Sequence, residues 1–150
     1  MSKSGFAFYL SKWDKHQSDI CQIRNLVYVE EVGLPKQHIH WEQDKESYHV
    51  LAYSKDGEII GTGSIKPNGE IGHIAVLRAW RGRTIGKAIL NYLLHVAEKL
   101  YLPSVWVDAL NEHVDFYQSK NFNLTDQSTR KDGHIFTRLV RTFESKHTLH

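Results

Sequence analysis

Residues 74–90 have the sequence IAVLRAWRGRTIGKAIL. The stretch opens on apolar residues that end a predicted strand, and a basic loop with Gly82 follows. Ile85, Ile89 and Leu93 then recur at helical spacing, so a helix is predicted to begin at Ile85. A helix N-terminus offers unpaired N–H groups and a positive dipole end. The strand, loop and helix together suit a binding site for phosphate or pyrophosphate, and an ordinary solvated basic loop that caps a core helix is an equal alternative.

The rest of the chain alternates in the same way between strand and helix patterns. Turn signals at Asp56-Gly57 and 67–69 separate three predicted strands, which are expected to form an antiparallel meander. Strands are predicted at 6–10, 48–54, 58–66, 70–77, 104–109, 122–125 and 134–142, and helices at 14–31, 85–100 and 112–120. This order predicts an α+β fold, with a mixed, mostly antiparallel central sheet flanked by helices.

Composition limits the kinds of protein that this chain can be. With 150 residues, 41% hydrophobic and 24% charged, it is expected to form a single domain over 1–150, with a flexible polar tail at 144–150. A net charge of +2 is too small to argue for nucleic acid. No signal peptide or membrane span is predicted. The single Cys21 has no internal disulfide partner, which favours a reduced, cytoplasmic location.

The basic loop resembles motif A of the GNAT superfamily of N-acetyltransferases, whose pattern is Gln/Arg-x-x-Gly-x-Gly/Ala. In the preferred frame the loop reads Arg81-x-x-Thr84-x-Gly86, with Thr84 where the family has glycine. A second frame, Arg83-x-x-Gly86-x-Ala88, fits the same pattern. The preferred frame is chosen because WRGRTIGKA looks like the family's common YRGKGIGxA run.

Two further stretches carry the resemblance beyond the loop. The sequence NEHVDFYQSKNF at 111–122 is similar to motif B of the family, with Asn121 in place of the usual glycine. The sequence RNLVYVEEVGLP at 24–35 is similar to a subgroup of small bacterial GNAT proteins. The predicted element order also matches the GNAT fold over nearly the whole chain.

The resemblance implies that the chain binds acetyl-CoA and transfers the acetyl group to an amine. In the family, the pyrophosphate sits on the motif A loop and the pantetheine arm pairs with the strand before it. The implied cofactor-binding residues are Ile74, Ala75, Val76, Arg81, Gly82, Arg83, Thr84, Ile85, Gly86, Lys87, Ala88, Asn111 and Tyr117. The resemblance also implies that a homodimer can form.

Three residues are the candidates for catalysis. The resemblance places Tyr117 near the sulfur of the cofactor, as the general acid for the leaving thiolate. Glu70 and His73 lie on the strand where the family often places the group that removes the amine proton. Their spacing puts them on opposite faces of a regular strand, although a β-bulge would change that parity. The choice between them stays open.

The acceptor site is predicted from charge. Glu30, Glu31, Glu42 and Asp44 form an acidic cluster in the region that walls the acceptor site in GNAT folds, and it would attract a cationic amine. A solvated acidic face is an equal alternative. His38, His40 and Glu42 have a spacing that a metal could use, but no fourth ligand is evident, so no metal is predicted.

Two other functions compete with acetyl transfer. The first is a non-catalytic module that binds acyl-CoA, which the departures at Thr84 and Asn121 leave open. The second is a nucleic-acid-binding domain that uses the basic loop, but among its residues only Trp80 could stack on a base. Neither the acceptor amine nor the strict requirement for an acetyl group follows from the sequence.

Overall fold

A computed structural model of the chain describes residues 5–82 and 84–144, so Arg83 and the segment 145–150 lie outside the described residues. Strand β1 (Phe6–Ser11) leads into helix α1 (Trp13–Arg24). A π-helical segment (Asn25–Glu31) follows directly. The helix predicted at 14–31 therefore exists, but its second half has wider turns.

The first sheet contains four antiparallel strands in the order β1-β2-β3-β4. These are β1 with β2 (Tyr48–Ser54), β3 (Ile59–Ile65) and β4 (Ile71–Val76). Between α1 and β2 the chain forms an irregular loop, which contains two short 3-10 turns at Lys36–Ile39 and Asp44–Glu46. This loop lies over one end of the sheet.

The second sheet contains three antiparallel strands in the order β5-β7-β6. Helix α2 (Ile85–Lys99) leads to β5 (Ser104–Leu110), and helix α3 (Val114–Gln118) leads to β6 (Asn123–Lys131) and β7 (His134–Thr142). The strand predicted at 122–125 is too short. β6 is a sheet edge with almost every residue exposed, so it lacks the apolar alternation by which strands are recognised.

The two sheets meet at the start of β4 and β5. A parallel bridge joins Glu70 to Trp106, and the Trp106 N–H donates to the Gly69 carbonyl at 3.1 Å. The buried face of α2 packs against this junction through Ile89, Leu90 and Leu93. The α+β class with a mixed, mostly antiparallel sheet is therefore confirmed.

β4 contains a β-bulge between Gly72 and Ala75. Thr62 pairs with Ala75 and Ser64 pairs with Gly72, so two residues of β4 lie opposite Gly63 alone. His73, one of the two, has a φ of 53°. The bulge changes the direction of the side chains that follow, which decides what β4 presents to the cleft.

None of the helices in the described part of the chain combines the length and the apolar character needed to cross a bilayer.

Candidate active site

Two cavities lie in the cleft between β4 and β5. The first has a volume of about 530 Å³ and is bounded by the N-terminus of α2, and the second, of about 420 Å³, lies under the 36–47 loop and the β6–β7 hairpin. Both cavities share four lining residues, Tyr28, Ile74, His113 and Tyr117. Two ligands could therefore meet at these residues, one from each side.

The first cavity collects most of the predicted cofactor-binding residues. Those in its lining are Ile74, Ala75, Val76, Arg81, Gly82, Thr84, Ile85, Gly86, Lys87 and Tyr117. Ala88 and Asn111 do not line it, and the Ala88 N–H already donates to the Thr84 carbonyl at 3.0 Å. Arg83 lies outside the described residues.

Two positions where the family has glycine have left-handed backbone in this chain. Thr84 has a φ of 63° and is the N-terminal cap residue of α2. Asn121, the second departure, has a φ of 66°. Glycine adopts this region without a steric penalty, which gives a physical reason for the family preference. The chain keeps both backbone geometries without glycine.

An arginine–glutamate pair crosses the mouth of the first cavity. Glu31 accepts hydrogen bonds from two guanidinium nitrogens of Arg81, at 2.5 and 2.6 Å, and Arg78 lies 3.4 Å away. The hydrogen bond from Arg81 lowers the pKa of Glu31 below its usual value. Glu31 is therefore paired with the basic loop at the first cavity and does not line the second cavity.

Two backbone carbonyl groups at the open edge of β4 already accept hydrogen bonds from side chains. Arg81 Nε donates to the Val76 carbonyl at 2.9 Å, and Tyr28 Oη donates to the Ile74 carbonyl at 2.6 Å. A ligand that pairs with this edge must share these carbonyls or displace Arg81. Both side chains line the first cavity.

Tyr117 lies where the two cavities join. Its ring packs edge-on against Phe116 and Phe122, with centroids 5.0 and 5.5 Å apart. Burial raises the pKa of the Tyr117 hydroxyl above its usual value, so the group stays protonated and can donate a hydrogen bond. Among the described residues this hydroxyl has no hydrogen-bond partner.

Two residues at the junction escape prediction from sequence. Tyr28 follows an ordinary apolar pattern, and only its contact with the Ile74 carbonyl gives it a role. His113 lies on the turn before α3, two residues after the motif B asparagine, and partial desolvation of its ring lowers its pKa. Its nearness to motif B is the signal that could have found it.

Glu70 and His73 both line the second cavity, because of the bulge in β4. The Lys66 ammonium pairs with Glu70 Oε1 at 2.6 Å. His73 Nε2 lies 2.6 Å from the His38 carbonyl, which can only accept, so Nε2 carries the proton. His73 Nδ1 is then an unprotonated, buried nitrogen without a partner among the described residues. Burial holds the pKa of His73 well below its usual value.

The predicted acidic wall of the acceptor site is not present as such. None of its four carboxylates lines the second cavity. Glu31 belongs to the first cavity, Glu30 accepts from the Asn25 amide at 3.0 Å, and Glu42 is exposed. Within the described ranges no group of three or more His, Cys, Asp or Glu side chains is placed to hold a metal.

Asp44 instead anchors the 36–47 loop from inside. Arg24, fully buried, donates to Asp44 through two nitrogens at 2.9 and 3.1 Å, and to the Ile39 carbonyl at 2.7 Å. Arg24 also donates to Ser64 Oγ at 3.2 Å, and His49 binds the same hydroxyl at 2.6 Å. A buried arginine needs such a partner because an unpaired buried charge is costly. The network fixes one wall of the second cavity.

Comparison with known proteins identifies the family. The sequence profile of the acetyltransferase (GNAT) domain matches residues 28–143. The fold is similar to the crystal structure of an acyl-CoA N-acyltransferase from Pseudomonas aeruginosa, with a TM-score of 0.82 and 20% identity over 92% of this chain and 100% of that one. Escherichia coli ElaA gives a TM-score of 0.79 and 21% identity, over 91% and 99% of the two chains. The profile match confirms the family resemblance, and the chain belongs to the GNAT superfamily of acetyltransferases.

Proposed function

We propose that the protein transfers the acetyl group of acetyl-CoA to a primary amine of a small molecule or peptide, by direct attack of the amine. One observation carries the proposal: two neighbouring cavities share Tyr117 in their linings, together with Tyr28, Ile74 and His113. Such a junction lets a donor and an acceptor enter separately and react where they touch.

The first cavity fits the donor. Its polar side contains Arg81, Lys87 and the N-terminus of α2, which suit a pyrophosphate, and its lining is otherwise mainly apolar. Gly86 lines this side without a side chain, and a Cβ there would lie in ordinary van der Waals contact, 3.7 Å from Phe116 and 3.8 Å from Val76. Acetyl-CoA supplies, when bound, an acetyl thioester with an electrophilic carbonyl carbon.

The residues at the junction have separate tasks in this proposal. Tyr117 protonates the sulfur as the carbon–sulfur bond breaks, and the proton that the attacking amine gives to the base is returned to Tyr117, so that the products are the amide and the free thiol. Glu70 and His73 are the candidates for removal of the amine proton. The uncharged state of His73 supports it as the candidate with a free lone pair, whereas Glu70 is tied to Lys66. The tested variants must therefore include Glu70→Gln and His73→Gln.

The test of catalysis is the release of free CoA thiol from acetyl-CoA with a panel of primary amines. Tyr117→Phe is expected to lower kcat by roughly 10²-fold or more, because the leaving sulfur loses its donor. Tyr101→Phe is the matched control, since Tyr101 is 84% exposed and lines neither cavity. Equal kcat values for the two variants would remove Tyr117 from the mechanism.

The test of binding separates the enzyme from a non-catalytic acyl-CoA-binding module. Acetyl-CoA is expected to raise the melting temperature of the wild type. Gly86→Glu is expected to abolish this shift, because the new carboxylate enters the first cavity and repels the pyrophosphate. A normal shift without thiol release from any amine would favour the non-catalytic module.

A further inference from the structure

The charges around the second cavity point to a class of acceptor that the sequence does not indicate. Two carboxylates, Glu70 and Asp108, line this cavity. Glu70 pairs with Lys66 at 2.6 Å, and both oxygens of Asp108 accept from Arg138, at 2.8 and 2.9 Å. An ammonium group entering the cavity would therefore find both carboxylates already paired.

One cation in the lining has no such partner. Lys131, the last residue of β6, lines the second cavity and forms no ion pair with any residue in 5–82 or 84–144. The neighbouring carboxylate of Asp132 is already engaged, 2.7 Å from His38 Nε2. The charged group that the cavity leaves unmatched is thus a lysine ammonium, which suits a carboxylate on the ligand.

This arrangement also suits the reaction, because only the uncharged amine can attack a thioester. An unpaired carboxylate near the amine would stabilise the ammonium form and raise its pKa. The second cavity has no unpaired carboxylate among its described lining residues, and the nearby His73 imidazole is uncharged. The lining therefore does not favour the unreactive form.

We propose that the acceptor is a small amine that also carries a carboxylate, and that Lys131 binds this carboxylate at the β6–β7 hairpin. The inference rests on the proposed acetyl transfer and names the substrate class of the same site. A cavity of about 420 Å³ is large enough for an amino acid or a short amino-acid derivative. Lys131 is here a specificity-determining residue, not a group that takes part in bond breaking.

The test compares amino acids with the amines that remain when the carboxylate is removed. The pairs are phenylalanine with phenethylamine, β-alanine with ethylamine, γ-aminobutyrate with propylamine, and ε-aminocaproate with pentylamine. In at least one pair kcat/KM is expected to be about 10-fold or more higher for the member with the carboxylate, the size of a charge-assisted hydrogen bond. Lys131→Gln is expected to bring that ratio close to one.

Arg130→Gln is the matched control, because it removes the neighbouring positive charge on the same strand from a residue that does not line either cavity. It is expected to leave the ratio unchanged. Calorimetric binding of both members of each pair, with CoA present, gives a readout that does not need turnover. A preference that Lys131→Gln removes in binding, without thiol release, would support the carboxylate site and contradict acetyl transfer.

Three results would overturn the inference. The first is equal or better use of the amine without carboxylate in every pair. The second is a preference that persists in Lys131→Gln or falls equally in Arg130→Gln. The third is the absence of both binding and turnover for all carboxylate-bearing members, while other amines release thiol.

Discussion

A single threonine shows that the loop before α2 keeps its backbone conformation without the glycine that the family has there. Thr84 caps α2 with a φ of 63°, a conformation that is costly for a β-branched residue. The loop nevertheless presents the start of α2 to the first cavity. Thr84 therefore has a strained backbone conformation but does not close the first cavity.

Thr84→Gly is expected to raise the free energy of unfolding by up to about 1 kcal/mol, since relief of the left-handed strain exceeds the added entropy of the unfolded chain. Asn121→Gly is the control at a φ of 66°, and a change below about 0.5 kcal/mol is expected because asparagine tolerates this region. Guanidinium unfolding measures both. A larger gain at Asn121 than at Thr84 would contradict this account.

The acidic residues show why the sequence predicts which residues surround the first cavity better than it predicts the lining of the second cavity. Motif A is contiguous, so its residues stay together in any strand–loop–helix unit. The acceptor wall depends instead on which carboxylates turn inward, and this is decided by distant partners. Asp44 is buried by Arg24, 20 positions away in sequence, and Glu31 is turned towards Arg81, 50 positions away.

At the scale of elements, Arg24 and Asp44 couple α1 to the 36–47 loop. Asp44→Ala is expected to lower the free energy of unfolding by about 3–5 kcal/mol, because it leaves the Arg24 charge buried and unpaired. Glu42→Ala, an exposed residue of the same loop, is expected to stay within about 0.5 kcal/mol of the wild type. Denaturant unfolding compares the two.

A double variant tests the reason for that loss. Replacing the pair by Arg24→Met and Asp44→Leu removes both charges, so most of the stability lost in Asp44→Ala is expected to return. If the double variant were no more stable than Asp44→Ala, the loss would come from loop packing rather than from the unpaired charge.

The sequence could not decide whether β4 contains a β-bulge. Regular alternation puts Glu70 and His73 on opposite faces. The extra residue opposite Gly63 brings both to the second cavity. Gly63 is also packed closely against α2, where a Cβ would lie 2.6 Å from Ile89. The bulge thus lies opposite a glycine whose close contact with α2 has no local sequence signature.

For the molecule as a whole, buried uncharged histidines predict a loss of stability in acid. Burial lowers the pKa of His49 and of His73 in the folded state, whereas the unfolded state binds protons near pH 6.5. The unfolded state then takes up more protons as the pH falls below about 6.5. Stability is full above that pH and falls below it, by up to about 1.4 kcal/mol per pH unit for each histidine.

The measurement is the melting temperature between pH 5 and pH 8, with His49→Asn as the comparison. This variant removes one of the two buried imidazoles, so the acid slope is expected to become shallower even where the variant is less stable overall. A slope equal to that of the wild type would show that His49 does not contribute to the pH dependence.

The overall architecture was accessible from sequence because the apolar period of α2 is strong and clear turn signals at Asp56-Gly57 and 67–69 bound β3. The edge strand β6 was not, since exposure on both faces removes its periodicity. The same edge position places Lys131 over the second cavity. The strand that is hardest to recognise from sequence, β6, thus contributes Lys131 to the lining of the second cavity.

The parallel bridge between Glu70 and Trp106 has a consequence for how the molecule opens. Each sheet is internally hydrogen-bonded, and in the described residues this bridge is the strand pairing that joins them. Local unfolding can therefore begin along this line without breaking either sheet. If acetyl-CoA binds in the first cavity as proposed, it contacts β4 on one side and α3 on the other, and its binding is expected to oppose this local opening.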